Sequence, residues 1–468
     1  MFRHFFEELG SFLIELFRKE EFWVILFIAG VGGALIILPL LRLDWIIYLI
    51  LKIWWLWVFL IIFPIFESLW LFWRQAIFKK DTKFILLEIR VPREVTQTPQ
   101  AMEQLLRSIH SLRNAPGDIR EKYWDGEVTR WFALEMVSFG GEVRFFIRTY
   151  GKYRNLVEAA FFSYYPDVEI MLVDDYTEKF PKDIPEMSER GLEIWGTEML
   201  LKTKEAFPIK TYPNFEEETV GDRKINLDPI SVFLEVLGKI KKEEIVGIQI
   251  LIAPAAPDWA KKFESVMQEL QEPETMELSG GDEETGGREI PIPRTPGKTD
   301  ILEAVEQNLT KPAFDSLIRF IYLSPKEIFY DSFARRGLVG AFNQYAATNL
   351  NSFRSNYHTA TRTQIWNWPH IFPKSRNIFR KQRLLHNYLR RELPPETAMG
   401  RIITSYLLNW NFASRRFLMN IEGLATLFHP PTSIVLTAPH IKRVESRKIG
   451  PPAGLSIFGE EGEIEKYQ

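Results

Sequence analysis

The stretch WFALEMVSFGGEVRFFIRT, Trp131 to Thr149, decides how this chain is to be folded. Trp131 to Ser138 is rich in large apolar residues of the kind a packed sheet takes. Gly140-Gly141 follows, and paired glycines supply the positive φ angles of a two-residue hairpin turn. Val143 to Thr149 is the returning strand. Upstream, Phe84 to Arg90 is a strand. Thr98-Pro99 is a helix start with proline at the first helical position, and Met102, Leu105, Leu106, Ile109 and Leu112 mark one helix face. Downstream, Lys152 to Tyr164 is helical, with Leu156, Val157, Ala160 and Phe161 inward, and Val168 to Val173 is a last strand. The order is βαββαβ, the ferredoxin-like pattern.

The pattern returns in the next segment. Ile194 to Thr203 is a strand, Asp228-Pro229 starts a helix bearing Ile230, Phe233, Leu234 and Leu237, and Glu244 to Ile252 and Phe314 to Leu323 are strands. Ser324-Pro325 opens a long helix with Glu327 completing a capping box, and Asn351 to Arg354 closes the unit. Between its middle strands lies an insert: one helix (Trp259, Phe263, Val266, Leu270), then a Glu/Gly/Pro/Thr-rich loop from Glu272 to Lys298 whose composition predicts disorder.

The first eighty residues differ. Phe22 to Leu41 is twenty residues without a charge, enough to span a hydrocarbon core of about 30 Å. A second apolar run, Trp45 to Trp73, is broken only by Lys52 and Glu67. Either charge at the bilayer centre would cost about 2.5–3.5 kcal/mol, so the span is Trp45 to Phe66 or Ile53 to Trp73. Ahead of both, Phe2, Phe5, Phe6, Leu9, Phe12, Leu13, Leu16 and Phe17 recur at helical spacing among charges, an amphipathic helix lying in the interface. Arg3, Arg18 and Lys19 precede the spans, Arg74, Lys79, Lys80 and Lys83 follow them, and Arg42 alone lies between. The positive-inside rule then puts both termini in the cytoplasm at the inner membrane.

The fold expected is α+β: an N-terminal transmembrane helical hairpin, two ferredoxin-like domains and a mixed C-terminal segment. The divisions are 1–21 interfacial helix, 22–80 two-helix anchor, 81–178 and 190–357 sheet domains, with the insert at 256–300, and 358–468 the basic–aromatic segment and C-terminal extension. In the last part Asn420 to Leu427 is a short helix and Ser433 to Thr437 a short strand.

Composition narrows the function. The 468 residues carry 58 Lys+Arg against 61 Asp+Glu, a net charge of −3, which excludes a wholly basic nucleic-acid coat. Zero cysteines exclude disulfides, thiolate metal sites and thiol nucleophiles. No phosphate-binding loop occurs: Pro296-Gly297-Lys298-Thr299 has Ile292 where the upstream glycine belongs. Ile170 to Asp175 imitates a Walker-B strand without a partner loop. The seven histidines show no metal-ligand spacing, and no G-x-S-x-G elbow exists. A non-enzyme without cofactor or metal is expected. What remains is a segment from Thr361 to Arg391 that mixes Trp366, Trp368, Phe372 and Phe379 with Lys374, Arg376, Arg380, Lys381, Arg383, Arg390 and Arg391. Cations and aromatics so mixed suit a nucleic acid, anionic lipid, a partner protein, or a solvated arm. If they form a contact face, replacing Arg376, Arg380, Lys381 and Arg383 by Ala should weaken binding and leave the fold intact.

Several segments together resemble a known group: Val91-Pro92-Arg93-Glu94 with Thr98 to Gln104, Phe145 to Thr149 with Lys152 to Glu158 and Tyr165-Pro166-Asp167, Asn420 to His429, and Lys448 to Pro452. They look like the membrane-anchored N-terminal region of conjugation and type IV secretion ATPases of the TraG/TraD/TrbE kind, over roughly residues 20–460. There this region precedes a RecA-like motor of the HerA/FtsK superfamily, and such motors are hexameric rings. The chain stops at Gln468, where that motor would begin, so the motor is expected as a separate polypeptide or this as a split or truncated gene product. The resemblance implies a non-catalytic, membrane-anchored subunit of a DNA or protein translocation machine, with membrane lipid, a HerA/FtsK-like ATPase, DNA and further copies of the chain as partners. A membrane-hairpin oligomeric scaffold without a motor is the alternative, and a membrane-bound enzyme acting on lipid or glycan a third reading. Free edges of the two sheets are expected to make the subunit contacts.

Overall fold

A computed structural model of the chain describes Tyr48 and residues 52–92, 97–215, 219–220, 223–224, 228–272, 275–277, 289–291, 294–330, 332–362, 364, 367, 370–405, 408–409 and 412–432. The interfacial helix expected over 1–21, the first span over 22–41, the strand at Ser433 to Thr437 and the Lys448 to Pro452 segment lie outside these residues.

The chain divides into two compact units. The first gathers Met1–Lys83, Asn114–Thr129 and Leu393–Ser414, and the second Phe84–Arg113, Arg130–Glu392 and Arg415–Gln468. Among the described residues, the longest element of the first is a helix, α1 (Trp54–Asp81), with Lys79 and Lys80 in its last turn. Its 28 residues are about 42 Å long at 1.5 Å per residue. It is long and apolar enough to cross a membrane. It runs beyond both ends expected for the second span, Phe66 and Trp73, because no breaker follows until the β-region Thr82.

The second unit is a mixed α+β body built on one large antiparallel sheet. Its elements are β1 (Phe84–Arg90), α2 (Pro99–His110), β2 (Phe132–Phe139), β3 (Glu142–Tyr150), α3 (Arg154–Tyr164), β4 (Glu169–Val173), α4 (Ile184–Glu189), β5 (Leu192–Leu201), α5 (Ser231–Gly238), β6 (Ile245–Pro254), α6 (Glu264–Gln271), α7 (Pro296–Thr310), β7 (Ala313–Pro325) and β8 (Phe353–Ser355). After them come α8 (Pro373–Arg390), β9 (Phe417–Asn420) and α10 (Ile421–Leu427), with α9 (Ala398–Ile403) belonging to the first unit. The strand order is β8-β5-β7-β6-β2-β3-β1-β4, and β9 adds to the start of β7 at Ala313↔Asn420 to Ser316↔Phe417. Each set of four strands is therefore laid out fourth-first-third-second. The two sets join along β2 and β6, paired from Phe132↔Ile252 to Phe139↔Ile245. The sheet edges expected to recruit neighbouring chains are, at this seam, already paired with each other.

The hairpin that opened the reading is present. Phe139 faces Glu142 across Gly140 (φ 58°) and Gly141 (φ 93°), and a Cβ on Gly140 would stand 2.4 Å from the Lys242 carbonyl oxygen. Side chains alternate across each strand. On one face Leu134, Met136, Ile147, Ile248, Ile250 and Phe320 meet Leu105, Leu106, Val157, Phe161, Phe233 and Leu424 in a single core. The opposite face of the central strands is covered by α8, whose Leu384, Leu385 and Tyr388 are buried.

Four local expectations are corrected. Ser324-Pro325 does not open a helix: both are still paired with Glu193 and Leu192 in the sheet, and the helical turns that follow begin at Ser332 as a π turn, Phe333–Leu338. Pro296-Gly297-Lys298 does not belong to a disordered loop but is the first turn of α7, with Thr295 before it and proline at the start. The insert also holds a short ribbon, Thr275–Glu277 with Glu289–Pro291. Leu156 is exposed, while Val157 and Phe161 carry the buried face of α3.

Candidate functional site

The α8 face of the sheet carries a row of polar residues where the core face is apolar. Register places them in one line across four strands: Glu198 on β5 opposite Arg319 on β7, Arg319 opposite Gln249 on β6, and Gln249 opposite Glu135 on β2; the line meets Phe146 on β3. Glu198, Arg319, Gln249 and Glu135 are all fully buried. Ionised groups taken out of water must be paired and hydrogen-bonded, and these are. Arg319 Nε (3.1 Å) and Nη2 (2.8 Å) both donate to Glu198 Oε1. Its remaining donors reach the Asn387 carbonyl at 2.8 Å and the Glu392 carbonyl at 3.2 Å.

Arg391 closes the other half of the row. Its Nε and Nη2 donate to the two oxygens of Glu135 at 2.8 and 3.1 Å, and Nη1 and Nη2 to the two oxygens of Asp175 at 2.5 and 3.0 Å. The guanidinium thus forks onto two carboxylates at once. Glu135 also accepts from the Tyr176 hydroxyl (2.8 Å) and Gln249 Nε2 (3.2 Å), and the Tyr388 hydroxyl lies 2.9 Å from that of Tyr176. Burial depresses the charged form of Arg391, but Glu135, Tyr176 and Asp175 outweigh it and hold its pKa well above the usual guanidinium range. Burial and then the Arg391 charge lower Arg148 to about 10. Burial raises Tyr176 well above its ordinary value, with Glu135 adding to the effect.

Arg391 sits just past the end of α8 in the left-handed region, φ 49° and ψ 47°. Its N–H bonds to Tyr388 O and that of Glu392 to Asn387 O, a Schellman ending. Glycine is the usual occupant, and another residue there costs about 1–2 kcal/mol. The clamp on Glu135 and Asp175 offsets that strain. It also explains Asp175, whose carboxylate holds Arg391 while capping the turn Tyr176–Lys179 through Thr177 N–H. The Walker-like run Ile170 to Asp175 is the last strand of its set plus one side of an ion pair.

A second buried pair joins distant parts of the chain. His429 Nε2 lies 2.8 Å from Asp228 Oδ1, and Nδ1 lies 2.8 Å from the Ala425 carbonyl. Thr432 N–H and hydroxyl donate to Asp228 Oδ2, and Ile230 N–H to Oδ1. Burial opposes ionisation of Asp228, but the His429 charge and these donors prevail and hold its pKa at about 2. Nearby, Lys311 bridges Glu103 and Glu422, and Glu103 also accepts from the Tyr212 hydroxyl at 3.0 Å. The segment Asn420 to His429 is thus tied to the core at Glu422 and His429, and Asn420 caps α10 by accepting from Gly423 N–H.

The seven cations singled out in the sequence separate into two groups. Arg376 and Arg380 are buried on α8: the first donates to the Asn367 carbonyl, the second to the carbonyls of Tyr357 (3.0 Å) and Ala360 (3.2 Å). Lys381 pairs with Glu193 at 2.7 Å, and Arg391 holds the clamp. Lys374 and Arg390 are exposed, and Arg383 is half-buried. The expectation that alanine at Arg376, Arg380, Lys381 and Arg383 leaves the fold intact is therefore corrected, since three of the four hold α8 and the 353–370 segment in place. Of the seven, Lys374, Arg383 and Arg390 keep surface open to solvent. Sequence reasoning passed over Glu135, Glu198, Gln249 and Arg319; each is a charged or amide side chain among mostly apolar residues within a strand, which is the signal that marks them.

Among the described residues no three His, Asp or Glu side chains converge as a metal site. A cavity beside Glu205, Thr211, Asn308 and Asn420 measures about 20 Å³, room for one water. A family model described as a domain of unknown function, DUF8128, matches residues 75–367, more than half of the chain. No curated protein matches it.

Proposed function

The chain belongs to the DUF8128 family, and for this member we propose a non-catalytic, membrane-anchored subunit that holds a rigid cytoplasmic head at the inner membrane for a separate ATPase motor. The observation that carries the reading is α1. None of its apolar window is buried, and Trp54, Trp55, Phe59, Ile62, Phe63 and Phe66 are all exposed. So large an apolar surface on every side of a helix is stable in lipid, not in water. The anchor comprises two spans with both termini cytoplasmic, as the distribution of Lys and Arg indicates.

The head consists of two ferredoxin-like halves. The fourth-first-third-second strand order of each half supports this, and their edge-to-edge fusion through β2 and β6 makes them one body. The charges buried under α8 are spent on internal pairs, which suits a scaffold better than a reaction centre. Docking to a HerA/FtsK-like ATPase, with DNA or protein as the machine's cargo, rests on the resemblance of the quoted motifs to conjugation and type IV secretion proteins. Lys374, Arg383 and Arg390 are the cations available to such a partner, and a ring motor would impose a hexamer.

The test is affinity purification of the full chain from membranes in mild detergent. A HerA/FtsK-like ATPase should co-purify, and alanine at Lys374, Arg383 and Arg390 should loosen it most at low salt, the difference from the parent shrinking as salt rises. Recovery of a homo-oligomer with no ATPase would replace this reading by the motor-free scaffold.

A further inference from the structure

Two segments far apart in sequence, Asn114–Thr129 and Leu393–Ser414, belong with α1 and not with the sheet. Both grip the same stretch of the helix. The Tyr123 hydroxyl donates to Glu67 at 2.5 Å, and Trp70 Nε1 donates to the Tyr123 carbonyl at 2.7 Å. Met399 N–H donates to the Ser68 hydroxyl at 2.7 Å. Gly126 and Gly400 allow the backbones to close in: a Cβ on Gly126 would stand 2.5 Å from the Arg74 carbonyl carbon, and one on Gly400 2.9 Å from the Phe72 ring. The two segments form a collar around Glu67 to Arg74, which leaves the stretch from Trp54 to Phe66 bare.

The collar is built of side chains suited to a bilayer boundary. Tyr123 and Trp124 join Trp70 and Trp73 in an aromatic cluster, with Trp124 6.3 Å and Trp73 5.3 Å from Trp70. Tyr and Trp concentrate at the headgroup level of membranes. The collar also leaves apolar side chains uncovered: Ile119 at 78%, Trp124 at 66%, Leu408 at 60%, and Ile402 and Ile403 above 40%. Three of its acids are turned to local use, while Asp125 is exposed: Asp118 accepts from Glu121 N–H, Glu121 from Gly117 N–H, and Glu127 from the Asn114 amide. Glu67, the one acid within the apolar run, is met by Tyr123, and the last turn of α1 beyond the collar carries Lys79 and Lys80.

We propose that this collar is a lipid-binding surface, seated in the headgroup–acyl boundary of the bilayer and continuous with the span. The inference rests on α1 being a membrane anchor. It adds that residues 114–129 and 393–414 touch phospholipid directly, and that the hydrocarbon edge lies at Phe66–Glu67. Of the two spans the sequence allowed, that favours the one ending at Phe66.

The chain has no cysteine, so each introduced one is unique. The full chain carrying Ile119→Cys, Ile402→Cys or Leu408→Cys is labelled with nitrobenzoxadiazole and reconstituted in phosphatidylcholine vesicles containing shallow or deep doxyl lipids. Phe59→Cys on α1 is the anchor reference, and Val232→Cys, exposed on the sheet unit, the aqueous one. The collar labels should shift to the blue and be quenched by shallow doxyl lipid, and Phe59→Cys by the deep probe. Collar labels that behave like Val232→Cys while Phe59→Cys is quenched would overturn the proposal and leave the anchor standing. Phe59→Cys unquenched would overturn the anchor itself. Collar labels shielded from aqueous iodide yet not quenched by lipid would mean that protein covers the collar, and would also overturn it.

Discussion

Arg391→Met is the change that the buried row resists most. The variant leaves Glu135, with no exposed surface, and Asp175 facing each other with the shared cation gone. Breaking a buried pair by removing one partner costs about 3–5 kcal/mol. The left-handed backbone strain persists in the variant, because methionine has the same Cβ, so nothing on the chain side offsets the loss. At about 2–4 °C per kcal/mol for a body of this size, the Tm should fall by roughly 10 °C. The assay is thermal unfolding of the full chain in detergent by circular dichroism, beside Arg390→Met, the exposed neighbour, which should stay within about 0.5 kcal/mol of the parent. Glu135→Gln added to Arg391→Met should recover part of the loss, because a neutral amide no longer requires the cation. Burial opposes ionisation of Asp175, but Arg391 outweighs it and holds its pKa below normal. Its share of stability is therefore present above the unfolded carboxylate pKa and is lost as pH falls through the folded value. The difference between parent and variant should narrow in acid. An Arg391→Met protein as stable as Arg390→Met would refute the reasoning.

Other consequences can be checked with the same assay. Asp228, with a folded pKa of about 2 against 3.8 unperturbed, contributes roughly 2 kcal/mol near neutrality, present above pH 4 and lost as pH falls toward 2; Asp228→Asn should lower stability at pH 7 and flatten that acid limb. Gly247→Ala should cost about 1–3 kcal/mol, since its Cβ would stand 1.8 Å from the buried Tyr388 hydroxyl, whereas Gly337→Ala, with no neighbour closer than 3.7 Å, should be near neutral. Arg380→Ala should destabilise, by unpairing the Tyr357 and Ala360 carbonyls, where Lys374→Ala should leave the Tm unchanged.

The strands were legible because both chemistries that mark them are local. β1 runs over the residues expected, and β2 to β8 begin and end within a few residues of their predicted limits. The seam between β2 and β6 was not legible, since nothing local in Phe132 to Phe139 says which edge it meets. Ser324-Pro325-Lys326-Glu327 imitates a helix start, yet the pairing of Ser324 and Pro325 with β5 wins over the capping pattern. The start of α7 at Pro296 was hidden by the acidic, glycine-rich composition just before it. At the candidate site, Arg376, Arg380 and Arg391 belong to a segment whose composition suits a contact face or a solvated arm. Their spacing is the same whether they face water or a row of carboxylates and carbonyls, and only the positions of Glu135, Asp175, Tyr357 and Ala360 decide it. Glu135, Glu198 and Arg319 could have been marked in advance, each being a charge inside a run otherwise fit for a buried strand.

The central claim is that α1 holds the head to a bilayer, and alkaline carbonate extraction of membranes that contain the full chain tests it most directly. The account predicts that the chain stays in the pellet and is released only by detergent. Recovery of the chain in the carbonate supernatant would contradict it.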